Sequence, residues 1–273
     1  MSTSSVEIAA GLDASLVLVR HGESTYVAEG RFQGRQDAPL SALGEEQARL
    51  AAERLANRDE GTPLPIPLGL PLAVFHSPLS RAAHTARLIG DAQPGQVELC
   101  ALAGVTEIAQ GEWEGLRATE VRRRWPTELE RWRQSPTTNH APGGEPVLEA
   151  AARIRSALAG IIARLAQADD AAPNPSDPVP GYPPSFPVDA APVNPWAVLV
   201  AHDGIFRLAL LSLMGLPYER FWSFPFNLGA ITVITFGRGI ATLRAHNLSD
   251  HLAPLAQADR AAAEARGDRR GAL

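Results

Sequence analysis

Short apolar runs rich in β-branched residues alternate along this chain with longer amphipathic stretches, the pattern of an α/β protein whose sheet is mostly parallel. The runs predict strands at Ser15–Val19, Leu72–His76, Val97–Ala101, Trp196–Ala201, Ala230–Phe236 and Ile240–His246. Only Gly237, Arg238 and Gly239 separate the last two, which therefore read as an antiparallel hairpin. Between the strands, Leu43, Ala48, Ala51, Ala52 and Leu55 recur at helical spacing and predict a helix over Ser41–Asn57 with Ser41 as its cap. A second helix is expected to begin at Ser77-Pro78, a capping residue followed by proline at the first helical position. Further helices are expected over Leu116–Gln134, Glu145–Ala168 and Gly204–Leu213.

Composition narrows the picture. With 45% hydrophobic and 20% charged residues in 273, the chain has ample material for a core, which excludes disorder as a whole-chain description. Ala171–Pro195 holds 9 of the 23 prolines and reads as an extended loop, a stiff connection more readily than a proline-recognition ligand. The tail Gln257–Leu273 reads as a frayed helix or disordered segment. A formal charge of −5 argues against nucleic acid as the main partner. Apolar stretches such as Leu208–Met214 are too short for a bilayer crossing, and Met1–Ala14 carries no signal-peptide pattern, so no membrane partner and a cytoplasmic location are expected. The single cysteine, Cys100, excludes an intrachain disulfide and a multi-cysteine metal site.

All basic residues are arginine and none is lysine. Compositional bias accounts for this, yet it removes Schiff-base lysines, phosphate-loop lysines and Ser-Lys dyads from consideration. Anion handling falls to Arg, His and backbone N–H groups.

Chemistry concentrates where predicted strands end. The run Leu16–Gly34, LVLVRHGESTYVAEGRFQG, delivers Arg20, His21 and Gly22 at the carboxyl end of a strand, where open α/β sheets place ligands. Taken alone, a surface turn explains this tripeptide equally well. FHSPLSRAAHTA then puts Arg81 in the first turn of a helix, whose N–H groups favour anions. In VTEIAQGEWEGL, Glu107 follows a strand end and can serve proton transfer, or be a solvated loop charge. WAVLVAHDGIFR repeats the first arrangement with His202. The joint occurrence of two histidines, two arginines and a glutamate at four strand ends argues against a purely structural explanation of them and points to a phosphate-handling site. His76, His84, His246 and His251 lack metal-ligand spacing and read as structural; His140, beside the turn Pro142–Glu145, is open.

These motifs resemble the histidine phosphatase superfamily, in the branch that includes cofactor-dependent phosphoglycerate mutase. The resemblance spans about Ser15–Leu252 and rests on Arg20–Gly22, RFQGRQDAPLSALGEEQA (Arg31–Ala48), SPLSRAAHTA (Ser77–Ala86), Glu107 to Gly115, the Pro-Gly-Gly-Glu turn and AHDG (Ala201–Gly204). It implies a three-layer α/β/α sandwich, mostly parallel with an antiparallel edge hairpin, in a single domain over 15–252. A helical lid is inserted at about 111–146, the proline-rich loop lies at 171–195, and 1–14 and 257–273 are tails. It further implies that His21 attacks phosphorus and that Glu107 protonates the leaving oxygen, while Arg20, Arg81 and His202 surround the phosphoryl oxygens. Ser24, Gln33, Gly34, Asp203 and Gly204 join the binding set, with no metal and no cofactor. One departure is Val27, where many members carry Asn.

GEWEGL at Gly111–Leu116 looks like the phosphatase branch, so hydrolysis of a small phosphorylated metabolite is expected, with mutase activity or a non-catalytic phosphate-binding role as alternatives. By resemblance, candidate substrates are phosphoglycerate and its glycosides, α-ribazole phosphate, phosphoserine and sugar phosphates, and a homodimer is possible for this family. Trp113, Trp125 and Trp132, with Arg117, Arg122, Arg123, Arg124, Arg131 and Arg133, offer a way to read a second anionic group on the substrate, but Glu112, Glu114, Glu120, Glu128 and Glu130 make much of this stretch a self-paired helix surface.

Overall fold

A computed structural model of the chain describes residues 5–59, 62–170 and 194–255. Six strands, β1 (Ala14–Arg20), β2 (Val74–His76), β3 (Leu99–Ala101), β4 (Trp196–Ala201), β5 (Ile231–Gly237) and β6 (Ile240–Leu248), form one sheet in the order β3-β2-β4-β1-β5-β6. The first four are mutually parallel; β5 runs antiparallel to β1 and β6 antiparallel to β5. The hairpin turn needs left-handed backbone at both central residues, and Arg238 and Gly239 supply it with φ of 55° and 74°.

Strand period explains the layering. Leu16 and Leu18 of β1 join Phe75, Leu199 and Ile234 on one face, where α6 (Val147–Asp170) and α7 (Asp203–Leu213) contribute Ile154, Leu158, Phe206 and Leu210. Val17 and Val19 join Val74, Val198 and Val200 on the other, covered by Ala51, Ala52 and Leu55 of α2 (Ala42–Ala56) and Ala82, Ala86 and Ile89 of α3 (Ser80–Asp91). A central sheet buried on both faces is the expected three-layer sandwich.

Two helix expectations change. The second predicted helix starts at Ser80, not Ser77-Pro78; Leu79 occupies the cap position without a side-chain bond, and the Ser80 N–H donates instead to the carboxylate of Asp37 at 2.8 Å. The single helix expected over Leu116–Gln134 is two, α4 (Ala118–Arg124) and α5 (Pro126–Gln134). Pro126 disfavours helical backbone at Trp125, which adopts φ −133° and ψ 56° and breaks the run. A short helix, α1 (Thr25–Ala28), was not predicted. Ser41 caps α2 as expected, accepting from the Gly44 N–H at 3.1 Å.

Residues 111–146 carry a small core of their own, Trp113, Val121, Leu129 and Ala141. No described helix is long and apolar enough to cross a membrane. Residues 171–193 of the proline-rich stretch and the tail 257–273 lie outside the described residues.

Candidate active site

The site follows from strand register. β1 and β4 are parallel neighbours with Arg20 opposite Ala201, so the next residues of each, His21 and His202, emerge together. The His21 N–H donates to the Ala201 carbonyl at 3.1 Å, and the two imidazoles meet edge-on with centroids 5.0 Å apart. β2, on the far side of β4, delivers Ser77, whose hydroxyl lies 2.8 Å from Nε2 of His202. One turn on, Arg81 is fully buried in α3 and donates through its terminal nitrogens to the carbonyls of Gly34 at 2.8 Å and Gln36 at 3.2 Å. β3 leads through a 3-10 turn, Ala103–Val105, to Glu107. That connection is held by Arg153 of α6, which donates to the carbonyls of Gly104, Thr106 and Glu107 and forms a two-pronged pair with Glu145 at 2.8 Å.

Nδ1 of His21 lies 2.6 Å from the Gly22 carbonyl. A carbonyl only accepts, so Nδ1 carries the proton and Nε2 keeps a free lone pair. Burial first, then the charges of Arg81 and Arg20, hold the pKa of His21 well below the ordinary imidazole value. His202 is lowered in the same direction by burial, Arg81 and His21. Burial also lowers Arg20, and pushes Arg81 down to about 10. Glu107 moves the other way: burial raises its pKa, opposed by the N–H groups of Ile108 and Gly204, which donate to its carboxylate at 2.9 and 3.2 Å. Around these groups, Nε of Arg20, Nε of Arg81 and Nδ1 of His202 are buried without a partner among the described residues. Clustered cationic and imidazole nitrogens of this kind are complementary to a compact anion with several acceptor oxygens.

The cavity in front of His21 has a volume of about 390 Å³. Of the expected residues, Arg20, His21, Gln33, Glu107, Asp203 and Gly204 line it. Arg81 and His202 are fully buried and lie off its wall, His202 in ring contact with His21. Ser24 and Gly34 also lie off the cavity. Ser24 caps α1 and accepts from Nε2 of Gln33 at 2.6 Å, so it steers Gln33; Gly34 offers its carbonyl to Arg81, and a Cβ there would fall 2.2 Å from Oε1 of Glu114.

None of the six arginines of the 117–133 stretch lines the cavity; Arg124 pairs with Glu120. Of the three tryptophans only Trp132 reaches it. The rest of the wall, Val27, Gly30, Arg31, Phe32, Ile108, Gln110, Ala118, Phe221 and Trp222, comes from separate segments with no common local pattern. Gly44 also went unmarked: Gly22 packs backbone to backbone against it, and a Cβ on Gly22 would sit 2.0 Å from the Gly44 carbonyl oxygen. His76, His84, His140, His246 and His251 lie off the cavity, and the described residues hold no cluster of three or more His, Cys, Asp or Glu disposed to hold a metal.

The chain belongs to the histidine phosphatase superfamily (branch 1), whose family pattern matches residues 16–171 and 189–249. It is 26% identical over 237 residues to phosphoserine phosphatase 1 of Hydrogenobacter thermophilus, covering 87% of this chain and 93% of that protein. It is 32% identical over 208 residues to a glucosyl-3-phosphoglycerate phosphatase of Mycolicibacterium vanbaalenii, covering 75% and 76% respectively. The solved structure of a mycobacterial glucosyl-3-phosphoglycerate phosphatase with VO3 superposes with a TM-score of 0.66 at 28% identity, covering 86% of this chain and 99% of that one.

Proposed function

We propose that this protein is a phosphatase that hydrolyses small phosphomonoesters through a phosphohistidine on His21, with residues 15–252 acting as one domain and 111–146 as its lid. The observation that carries the reading is the unprotonated Nε2 of His21, set by the Nδ1–H bond to Gly22 and flanked by Arg20, Arg81 and His202.

In the first step the Nε2 lone pair attacks phosphorus and the bond to the ester oxygen breaks. Glu107, whose raised pKa favours the protonated form, gives its proton to the departing alkoxide. In the second step Glu107, now a carboxylate, takes a proton from water as that water attacks phosphorus; the P–N bond breaks and its electron pair returns to Nε2. Arg20, Arg81 and His202 offset the charge on the equatorial oxygens throughout. Gln33, on the cavity wall, holds the phosphoryl or leaving group, while the Gly204 N–H holds the Glu107 carboxylate.

The test is phosphate release from a panel of phosphomonoesters in EDTA, wild type beside His21→Ala, with acid-labile radiolabel trapped on the protein. Release and trapping by the wild type alone are the expected result; release that persists in His21→Ala overturns the assignment.

A further inference from the structure

Much of the cavity wall consists of rings and branched side chains, Val27, Phe32, Ile108, Trp132, Phe221 and Trp222, with Arg31, Gln33 and Gln110 among its polar members. Trp132 and Trp222 meet edge-on with centroids 5.0 Å apart, and Trp222 is anchored by its indole N–H on the Arg133 carbonyl at 2.8 Å. The charges lining the cavity already have partners within the protein. Arg31, the basic residue that lines the cavity besides Arg20, is engaged by the Glu29 carboxylate at 2.6 Å and the Gly115 carbonyl at 2.7 Å. Asp203 stands 3.1 Å from Nε of Arg207, whose guanidinium lies over the rings of Phe221 and Trp222. A carboxylate or second phosphate on the substrate would therefore enter a largely apolar space beside Glu107 and Asp203, where, among the described residues, Arg20 is the lining cation without a side-chain partner and already serves the phosphoryl group.

Resting on the phosphatase reading above, we infer that the preferred substrate is a phosphomonoester of an apolar alcohol, aryl or arylalkyl in class, without a second anionic group. Rings of the wall hold such an alcohol by edge and face contacts. Val27 contributes by presenting a methyl surface to the cavity.

The comparison must not confuse fit with leaving-group reactivity, so 2-phenylethyl phosphate is set against glycerol phosphate, another primary alkyl ester, and against two carboxylated esters, 3-phosphoglycerate and O-phosphoserine. The expected kcat/KM for 2-phenylethyl phosphate exceeds that for each of the others by at least about tenfold. In Trp222→Ala, an exposed position, its ratio to glycerol phosphate falls several-fold, and in Val27→Asn the ratio to 3-phosphoglycerate falls. A preference for either carboxylated ester, or ratios unmoved in both variants, overturns the inference while leaving the phosphatase reading intact. Inertness toward every ester, p-nitrophenyl phosphate included, overturns both.

Discussion

The hydroxyl of Ser77 stands 2.8 Å from Nε2 of His202 and at the same time accepts the Leu79 N–H at 3.3 Å. When the hydroxyl donates to His202, Nε2 is the acceptor and the ring proton sits on Nδ1. Nδ1 is the buried atom without a partner among the described residues, so the tautomer that Ser77 selects turns His202 into a donor toward the phosphoryl group. Ser77→Ala removes this selection. We expect kcat/KM to fall about tenfold, or ~1.4 kcal/mol, the scale of one hydrogen bond. Vanadate affinity should weaken in step, and Ser77→Thr should restore both. Steady-state kinetics and vanadate inhibition measured on the three proteins check this; unchanged vanadate affinity in Ser77→Ala removes Ser77 from the positioning of His202.

Ser77 also shows where sequence reading reaches and where it stops. Its run marks a helix start, but its bond to His202 joins residues 125 apart and has no local signature. The central strands β1 and β4 were legible because both are apolar runs buried on both faces, and their ends placed His21 and His202. The break between α4 and α5 lay in plain view at Pro126, yet the apolar spacing on either side continues through it and masked the stop. The cavity wall was least legible: Phe32, Trp132 and Trp222 belong to three segments, and only the folded register brings them to one surface. For the same reason the arginine-rich stretch did not resolve into substrate readers, because density of charge in sequence says nothing about which face of α4 or α5 meets the site.

Glu107 is expected to matter in proportion to how badly the leaving group needs a proton. Glu107→Gln keeps the shape and loses the proton, so hydrolysis of alkyl phosphates should drop by about 10²–10⁴, whereas p-nitrophenyl phosphate, whose leaving phenolate needs little help, should lose much less. The pH profile carries the sign. In the proposed mechanism His21 acts unprotonated and Glu107 protonated; with His21 held well below 6.5, the neutral nucleophile persists into mildly acidic solution, and the raised pKa of Glu107 sets the alkaline fall of kcat/KM. Glu107→Gln should flatten that alkaline limb. A profile with the limb intact in the variant assigns the proton transfer elsewhere.

Stability should decline as the solution becomes acidic. The imidazoles of His21, His202, His246 and His251 all have native pKa values below 6.5, chiefly through burial. Below that pH the unfolded chain binds protons that the native rings refuse, so unfolding free energy falls as pH drops, by about 1.4 kcal/mol for each unit by which a ring is depressed. Glu107 and Asp13, both raised in the native state chiefly by burial, work in the opposite direction below their native pKa values, two carboxyls against four imidazoles. Urea unfolding at pH 7.5 and 5.5 is expected to show a lower midpoint at 5.5. Replacing His246 with Gln, away from the cavity, should reduce the difference; an equal midpoint at both pH values contradicts the buried neutral state.

Gly204 tests whether the acid is held by backbone rather than by a side chain. Its N–H donates to Oε2 of Glu107 at 3.2 Å, and a Cβ at this position would lie 2.8 Å from Oε1 and 2.9 Å from Cδ1 of Ile108. Both atoms sit on side chains that can move, so Gly204→Ala should fold, with Glu107 displaced from the leaving oxygen. A misplacement of this size is expected to cost about 10² in kcat for alkyl phosphates. In a Glu107→Gln background there is no acid left to displace, and the same substitution should then cost only a few-fold, a non-additivity that a double-mutant cycle reads directly. Equal losses in the two backgrounds would mean that Gly204 acts on the phosphoryl group itself and not through Glu107.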